Sequence, residues 1–262
     1  MLELDTKLVL DDAICKAPNL TDRFEKADLD RLGNWVYEGY ARDKESRRDW
    51  MRRNEAGMDL ALQLQKAKTF PWAGCSNVAF PLVTIASMQF HARAYPAIIQ
   101  GTSVVKCRVI GEDPTGTVTL RAERISTHMS WQVLEQDQAW EEQHDRGLLN
   151  LSIVGCNFMK TRPAGGINVS ELVLAKDLVL DYFSKSVETS PRVTQIVPLY
   201  RNDIYERVRR GTFRDVLDDA WYAMPTAPRV SDQQLRQDRR QGLTAPQPDE
   251  TSPFIALELH VL

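Results

Sequence analysis

Histidine, cysteine and acidic side chains are the groups in this chain that could transfer protons, attack a substrate or bind a metal. The sequence has four histidines, and no two of them form an HExxH or HxH pair. His128 and His144 lie too far apart on one predicted helix to bind the same ion. Cys107 or Cys156 could act as a nucleophile beside His91, but distance along the sequence does not establish contact. The local pattern predicts no catalytic, metal or cofactor site, and a hydrolase with a dispersed site is the minority hypothesis.

A basic cluster from Arg42 to Arg53 is a candidate for binding phosphate groups. Its arginines alternate with acids such as Asp43, Glu45 and Asp49. Interleaved charges at helical spacing are typical of a solvated helix face with weak ion pairs of ~0.2–0.5 kcal/mol each. A nucleic-acid-binding adaptor that uses this cluster is kept as an alternative. Its possible nucleic-acid contacts are Arg47, Arg48, Arg52 and Arg53.

The composition is that of an ordinary globular protein. The 262 residues include 33 Lys plus Arg and 36 Asp plus Glu, a net charge of −3, with 43% hydrophobic and 26% charged residues. This balance argues against a basic protein that coats DNA. The four cysteines are dispersed, which predicts reduced thiols. No apolar run is long enough to span a bilayer, and the acidic N-terminal residues are untypical of a secretory signal, so neither a membrane span nor export is expected. No glycine-rich phosphate-binding motif occurs.

Helical periodicity dominates the first part of the chain. From Val118 to Leu148 apolar residues recur every three or four positions without a proline, which predicts one long central helix of roughly 45 Å. The helix is expected to begin after the capping pair Asp113-Pro114. A charged helical region precedes it at 21–68, and a helix from Leu82 is expected to stop at Pro96.

Short β segments follow the long helix. Residues 156–172 predict a hairpin with a four-residue turn from Pro163 to Gly166. Pro198 is expected to open a short helix that stops at Gly211. The other strand-like runs are 103–110, 178–183, 193–197 and the alternating FIALELHVL at 254–262, and a further helix is predicted at 213–222.

These elements predict a helix-rich α+β fold with a small antiparallel β part. The predicted regions are a charged helical region at 1–69, a core at 70–224, a Pro-rich linker or arm at 225–253 and a terminal strand at 254–262. Because the sequence ends inside that strand, the architecture is expected to be incomplete, with the sheet continued by further sequence or by another chain.

Three strings, at 70–99, 121–161 and 170–213, carry recurrent features in a fixed order. They are an (F/W)PW-x-G-x-SN loop, an ARAYP string, an MSWQ segment and an S-x-x-x-x-P-R run, with a final LELH near the C-terminus. Together they resemble portal proteins, the head-to-tail connectors of tailed bacteriophages. The matching residues are Phe70, Pro71, Trp72, Gly74, Ser76, Asn77, Arg93, Tyr95, Pro96, Trp131, Pro191 and Arg192.

The resemblance implies a non-enzymatic ring subunit, typically in twelve copies, at one vertex of the virion capsid after assembly in the host cytoplasm. The implied partners are other portal subunits, terminase, the major capsid or scaffold protein, tail or adaptor proteins, and double-stranded DNA in the channel, with no membrane and no cofactor. The motor ATPase of such a system belongs to terminase. Family members are longer, so this chain corresponds to a portal wing-like N-terminal part, and the stem, clip and crown are expected to be wholly or partly missing.

The FPWAGCSNVAFP segment at 70–81 places Phe70, Trp72 and Phe80 in an irregular stretch. Aromatic residues in a loop with proline and glycine are most often packed back beneath it. Internal packing is therefore the favoured interpretation, and a contact at a subunit interface is the alternative.

Overall fold

The computed structural model describes residues 19, 21, 24–64, 68–99, 101–215, 235, 238–239, 242–244 and 252–261. Within these residues the chain is 49% helical and 16% strand, with six α-helices and small antiparallel sheets. This confirms the predicted helix-rich α+β class. The helices are α1 (Lys26–Ser46), α2 (Arg48–Ala61), α3 (Leu82–Ile98), α4 (Thr117–Trp131), α5 (Trp140–Val154) and α6 (Arg201–Arg209).

Five strands form two separate antiparallel sheets in the described part of the chain. Strands β1 (Phe158–Ala164) and β2 (Ile167–Val173) make a two-stranded hairpin. Strands β3 (Leu178–Leu180), β4 (Arg192–Leu199) and β5 (Phe254–Val261) make a three-stranded sheet in that order, with β4 paired to β5 along its whole length. The predicted hairpin is confirmed, and the predicted terminal strand is confirmed over residues 254–261.

The chain divides into two compact units. The first unit comprises the described residues of 1–48 and 178–262, and the second comprises those of 49–177. In the first unit α1 packs on β3 and β5. Its core residues include Val179, Val193, Leu199 and, from α6, Ile204. In the second unit α3 packs against α5, and α5 packs against β2.

The long helix predicted from Val118 to Leu148 is divided into three segments. Helix α4 ends at Trp131, a π-helical turn occupies Gln132–Gln136, and α5 begins at Trp140. Asp137 leaves the helical conformation with φ −89° and ψ 80°, and its N–H donates to the carbonyl of Gln132 at 2.9 Å. The prediction of one uninterrupted helix was wrong, because a π turn absorbs an extra residue while the apolar positions keep recurring.

Two helix boundaries differ from those predicted from prolines. Helix α3 continues through Pro96 to Ile98. Pro198 does not open a helix but lies in β4 opposite Ile255, beyond the part of β4 that pairs with β3. A proline is tolerated there because its missing N–H interrupts no pairing with a third strand. Helix α6 begins instead at Arg201.

The segment 103–110 and the hairpin turn also differ from prediction. No strand forms at 103–110 in the described structure, because Val105 is bonded by serine side chains of α4: Ser130 Oγ accepts from its N–H at 3.1 Å, and the Ser126 hydroxyl donates to its carbonyl. The hairpin turn has two residues rather than four, Gly165 and Gly166, with φ of 61° and 84°. Positive φ at both positions is the requirement of a type I′ turn, which glycine meets without strain.

Several predictions fall on other parts of the chain. The helix expected at 213–222, the linker at 225–253 and Cys15 lie wholly or mostly outside the described residues. The three described cysteines, Cys75, Cys107 and Cys156, form no disulfide with one another. No helix within the described ranges is both long and apolar enough to cross a membrane.

Candidate interface surface on the second unit

The segment from Phe70 to Leu82, here called the aromatic loop, is shaped by its own backbone. The N–H of Cys75 donates to the carbonyl of Trp72 at 3.2 Å, closing a turn in which Gly74 has φ 83°. A positive φ at the third position of a β-turn is the type II requirement that glycine satisfies. The Cys75 thiol donates to the carbonyl of Phe70 at 3.2 Å, and Lys68 Nζ donates to that of Ser76 at 3.4 Å.

The aromatic loop leaves its large side chains in solvent. Residue exposure is 84% for Phe70, 66% for Trp72, 89% for Val78, 74% for Phe80 and 66% for Leu82. Packing beneath the loop, the favoured interpretation from sequence, is therefore wrong. Adjacent exposed apolar side chains on a folded unit mark an interaction surface more often than a free one.

Helix α3 has two different faces. Ser87 is buried, and the Thr84 hydroxyl on the same side donates to the carbonyl of Ala61 at 2.6 Å. A neighbouring, more exposed face, here called the outer face, lines a concave region of about 440 Å³ that is open to solvent. Residues three and four apart share one helix face, which explains why five positions form this lining. They are Ala86, Gln89, Phe90, Arg93 and Ala94.

Two polar contacts hold the inner face of α3 against α5. His91 Nε2 lies 2.6 Å from Asp145 Oδ1, and the Tyr95 hydroxyl donates to the Glu141 carboxylate. The hydrogen bond to Glu141, followed by burial and the charges of Glu141 and Asp145, raises the pKa of Tyr95. Both helices space their contributing residues by one turn, so the contacts repeat in register. The sequence predicts a solvated surface position for Glu141 and gives no role to Asp145, although matched four-residue spacings on two helices are a readable signal.

The His91–Asp145 contact bears on the hydrolase hypothesis. A carboxylate beside an imidazole is the orienting half of a nucleophile–base arrangement, and the other half is a hydroxyl or thiol on the second ring nitrogen. In the described structure His91 has the first half, the hydrogen bond to the Asp145 carboxylate, and its ring contacts that of Tyr95. His128 stacks on Trp131, and the His144 ring contacts the carbonyl of Trp140.

Three of the four arginines proposed as nucleic-acid contacts are held by contacts within the chain. Arg47 is buried, and its guanidinium donates to the carbonyl of Leu178 at 2.6 Å. Arg48 pairs with Glu45, and Arg52 pairs with Asp49 at 3.0 Å. Arg53 is exposed on α2. These partners leave less net positive charge for phosphate groups than the arginine count indicates.

The remaining family-like residues lie in different places. Arg93 and Pro96 are exposed on α3, whereas Asn77 is half-buried in the aromatic loop. Trp131 is exposed at the end of α4. Pro191 precedes β4, in which Arg192 pairs with Asp43 at 2.6 Å. The structure therefore brings the loop residues and the ARAYP residues together in one unit, while Pro191 and Arg192 belong to the other.

Among the described residues, no group of three or more histidine, cysteine or acidic side chains is arranged to hold a metal ion. The most developed feature of the second unit is its exposed apolar surface, formed by the aromatic loop and the outer face of α3. Comparison of the chain with models of protein families and with curated protein sequences found no match.

Proposed function

We propose that this chain is a subunit, or the N-terminal part of a subunit, of a portal protein of a tailed bacteriophage. Its function would be to form the ring at the capsid vertex through which double-stranded DNA is packaged and ejected. The ordered strings at 70–99, 121–161 and 170–213 support this proposal. The helix-rich α+β fold agrees with the wing-like architecture that the resemblance implies.

The observation that carries the proposal is the exposed apolar surface of the second unit. Fully buried apolar side chains are sparse in its described residues, whereas large apolar side chains lie in solvent along the aromatic loop, α3 and α4. Permanent assemblies bury such surfaces between subunits. The exposed residues beyond the loop include Met88, Phe90, Ile98, Val118, Leu120, Ile125 and Met129.

The proposal assigns the chemistry of packaging to partners. Terminase supplies ATP hydrolysis, the capsid or scaffold protein holds the ring at the vertex, and tail or adaptor proteins bind it later. A net charge of −3 suits a ring through which DNA slides, since extensive neutralisation of phosphates would make binding tight and strongly salt-dependent.

Native mass spectrometry and negative-stain microscopy of the purified chain test this function. We expect ring-like assemblies of identical copies, typically twelve, or larger aggregates that form through the exposed terminal strand. A single species of 29.9 kDa at every protein concentration would overturn the proposal.

A DNA titration separates the portal subunit from the nucleic-acid-binding adaptor. An adaptor that uses the basic cluster would bind DNA at low salt and lose affinity steeply, by orders of magnitude, between about 50 and 200 mM salt. For a portal subunit we expect weak binding that the Arg52→Ala and Arg53→Ala changes leave unaltered. Tight binding that these two changes abolish would favour the adaptor.

A further inference from the structure

We propose that the aromatic loop of one copy of this chain docks into the concave outer face of α3 on a neighbouring copy. This inference rests on the proposed ring-forming function and names the contact that joins its subunits. The occupant of the α3 face is therefore a second copy of the same chain, and the docking segment is residues 70–82.

The aromatic loop has the chemistry of a protruding apolar element. The Trp72–Cys75 turn and the Cys75–Phe70 hydrogen bond fix the backbone that carries the Phe70 and Trp72 rings, and the N–H of Leu82 donates to the carbonyl of Phe80 at 2.8 Å. A backbone held in this way loses less conformational entropy when it docks, which favours binding. Aromatic side chains are also the residues most enriched at the centres of protein interfaces.

The outer face of α3 offers an open recess that could receive such an element. Ala86 and Ala94 are small and flank Phe90, which leaves a concave region of about 440 Å³. This volume lies within the ~300–1,000 Å³ range of pockets that hold small-molecule ligands, so it has room for an aromatic side chain. Arg93 is exposed at the same face, where its guanidinium can lie over an incoming aromatic ring.

The exposed area of the three rings is a large part of what a specific contact needs. At ~150–250 Å² for each aromatic side chain, the exposed parts of Phe70, Trp72 and Phe80 amount to roughly 500 Å². A standard interface buries ~800 Å² on each partner. The three rings alone therefore supply more than half of one side, before Val78 and Leu82 are included.

The arrangement of the two surfaces indicates a head-to-tail contact. The loop is exposed and the α3 face is open in the same chain, so the loop does not fill its own concavity. A chain with a protruding element and a matching recess at different places forms heterologous contacts, which close into a ring when the rotation allows. A two-fold contact would instead place one patch against itself.

Photo-cross-linking with mixed isotope labels tests this contact. The assembled chain would carry p-benzoylphenylalanine in place of Phe80, with heavy and light copies mixed before assembly. We expect heavy-to-light cross-links between the loop peptide and the peptide that contains α3. The matched control carries the cross-linker in place of Phe183, which is 83% exposed in the first unit. Cross-links from position 80 that stay within one chain, or that reach only other peptides, would overturn the inference.

Surface substitutions give an independent readout. Phe80→Ser removes a docking ring, and Ala94→Trp fills the recess; each is expected to raise the protein concentration needed for assembly at least tenfold. The controls are Phe183→Ser, and Ala92→Trp on a part of α3 outside the concave lining. Unchanged circular dichroism and thermal midpoints would show that the variants remain folded.

The two proposals fail in different ways. If the unmodified chain is monomeric at every concentration, the proposed function fails and the loop contact fails with it. If the unmodified chain forms rings and both Phe80→Ser and Ala94→Trp form them equally well, only the loop contact is refuted. Capture of the loop by a different protein, with no loop-to-α3 cross-link, would also refute it.

Discussion

Arg192 binds the carboxylate of Asp43 through two hydrogen bonds, Nε to Oδ2 at 3.1 Å and Nη2 to Oδ1 at 2.6 Å. The Asp43 side chain is 1% exposed and that of Arg192 is 22% exposed. A Cβ at Gly39 would lie 3.4 Å from the Arg192 Nε, so glycine leaves room for the guanidinium beside α1. The hydrogen bond to Asp43 raises the pKa of Arg192 above its usual value. The pair ties α1 to β4 in the first unit.

The Asp43→Asn substitution is expected to lower the free energy of unfolding by about 3 kcal/mol. The reason is that the Arg192 charge then has lost the Asp43 carboxylate in a largely buried site. Urea unfolding followed by circular dichroism measures the change. Glu45→Gln breaks an exposed pair with Arg48 and is the matched control, with an expected loss below about 1 kcal/mol. Equal losses in the two variants would contradict the structural role of the Asp43–Arg192 pair.

Replacing Ser130→Ala is expected to loosen the segment at 103–110. Ser130 is 1% exposed, and its hydroxyl oxygen accepts from the N–H of Val105. An unpaired N–H costs about 1–3 kcal/mol, so exchange of the Val105 amide should accelerate roughly tenfold or more. Hydrogen exchange measured by NMR reports this rate. Ser152→Ala, which removes an exposed hydroxyl bonded to Leu149, should leave the Val105 rate unchanged.

The start of α4 is expected to weaken in acid. Asp113 accepts hydrogen bonds from the N–H and hydroxyl of Thr119, both at 2.8 Å, and the backbone bond is the largest cause of a pKa below the ordinary 3.8. A carboxyl with a lowered folded-state pKa stabilises the fold above its unfolded pKa. That contribution is lost as the pH falls through the folded-state pKa.

NMR titration of the Asp113 side-chain carbon, together with exchange of the Thr119 amide, measures this effect. We expect a midpoint below 3.8 and a loss of Thr119 protection over the same pH range. The Asp113→Asn variant should show no such pH-dependent loss. A midpoint at or above 3.8 would contradict the hydrogen-bonded start of α4.

Replacing Gly166→Ala is expected to destabilise the β1–β2 hairpin. Gly166 has φ 84°, a left-handed conformation that costs an L-residue about 1–2 kcal/mol. Thermal unfolding measures the loss. Gly57→Ala in α2 is the control, because its Cβ would meet Ile153 at an ordinary 3.7 Å and alanine favours helix by up to ~1 kcal/mol. A Gly166→Ala protein as stable as the unmodified chain would contradict the assigned turn.

Sequence patterns correctly predicted the elements whose conformation depends on neighbouring residues. The hairpin follows from two apolar runs around Gly165-Gly166, and β5 from strict alternation at 254–261. The strand expected at 103–110 failed because Val105 bonds to serines of α4 that lie more than twenty positions away. The break at Asp137 was not predicted, because a π turn preserves the spacing of the apolar residues.

The sequence identified the residues of the candidate site but not their exposure to solvent. The sequence identified Phe70, Trp72 and Phe80 as unusual residues, but a loop pattern does not say whether rings turn inward or outward. Their exposure depends on how the Trp72–Cys75 turn directs the chain, which is a three-dimensional property. The Asp43–Arg192 pair had no local signal, since its members lie 149 positions apart.

That separation sets an order of events during translation. Asp43 leaves the ribosome 149 residues before Arg192, and until then its carboxylate must remain hydrated, because an unpaired buried charge costs several kcal/mol. Residues 49–177 make their own contacts and emerge in between. The nascent chain is therefore expected to fold the second unit first, while Asp43 of α1 remains unpaired until Arg192 of β4 has been synthesised.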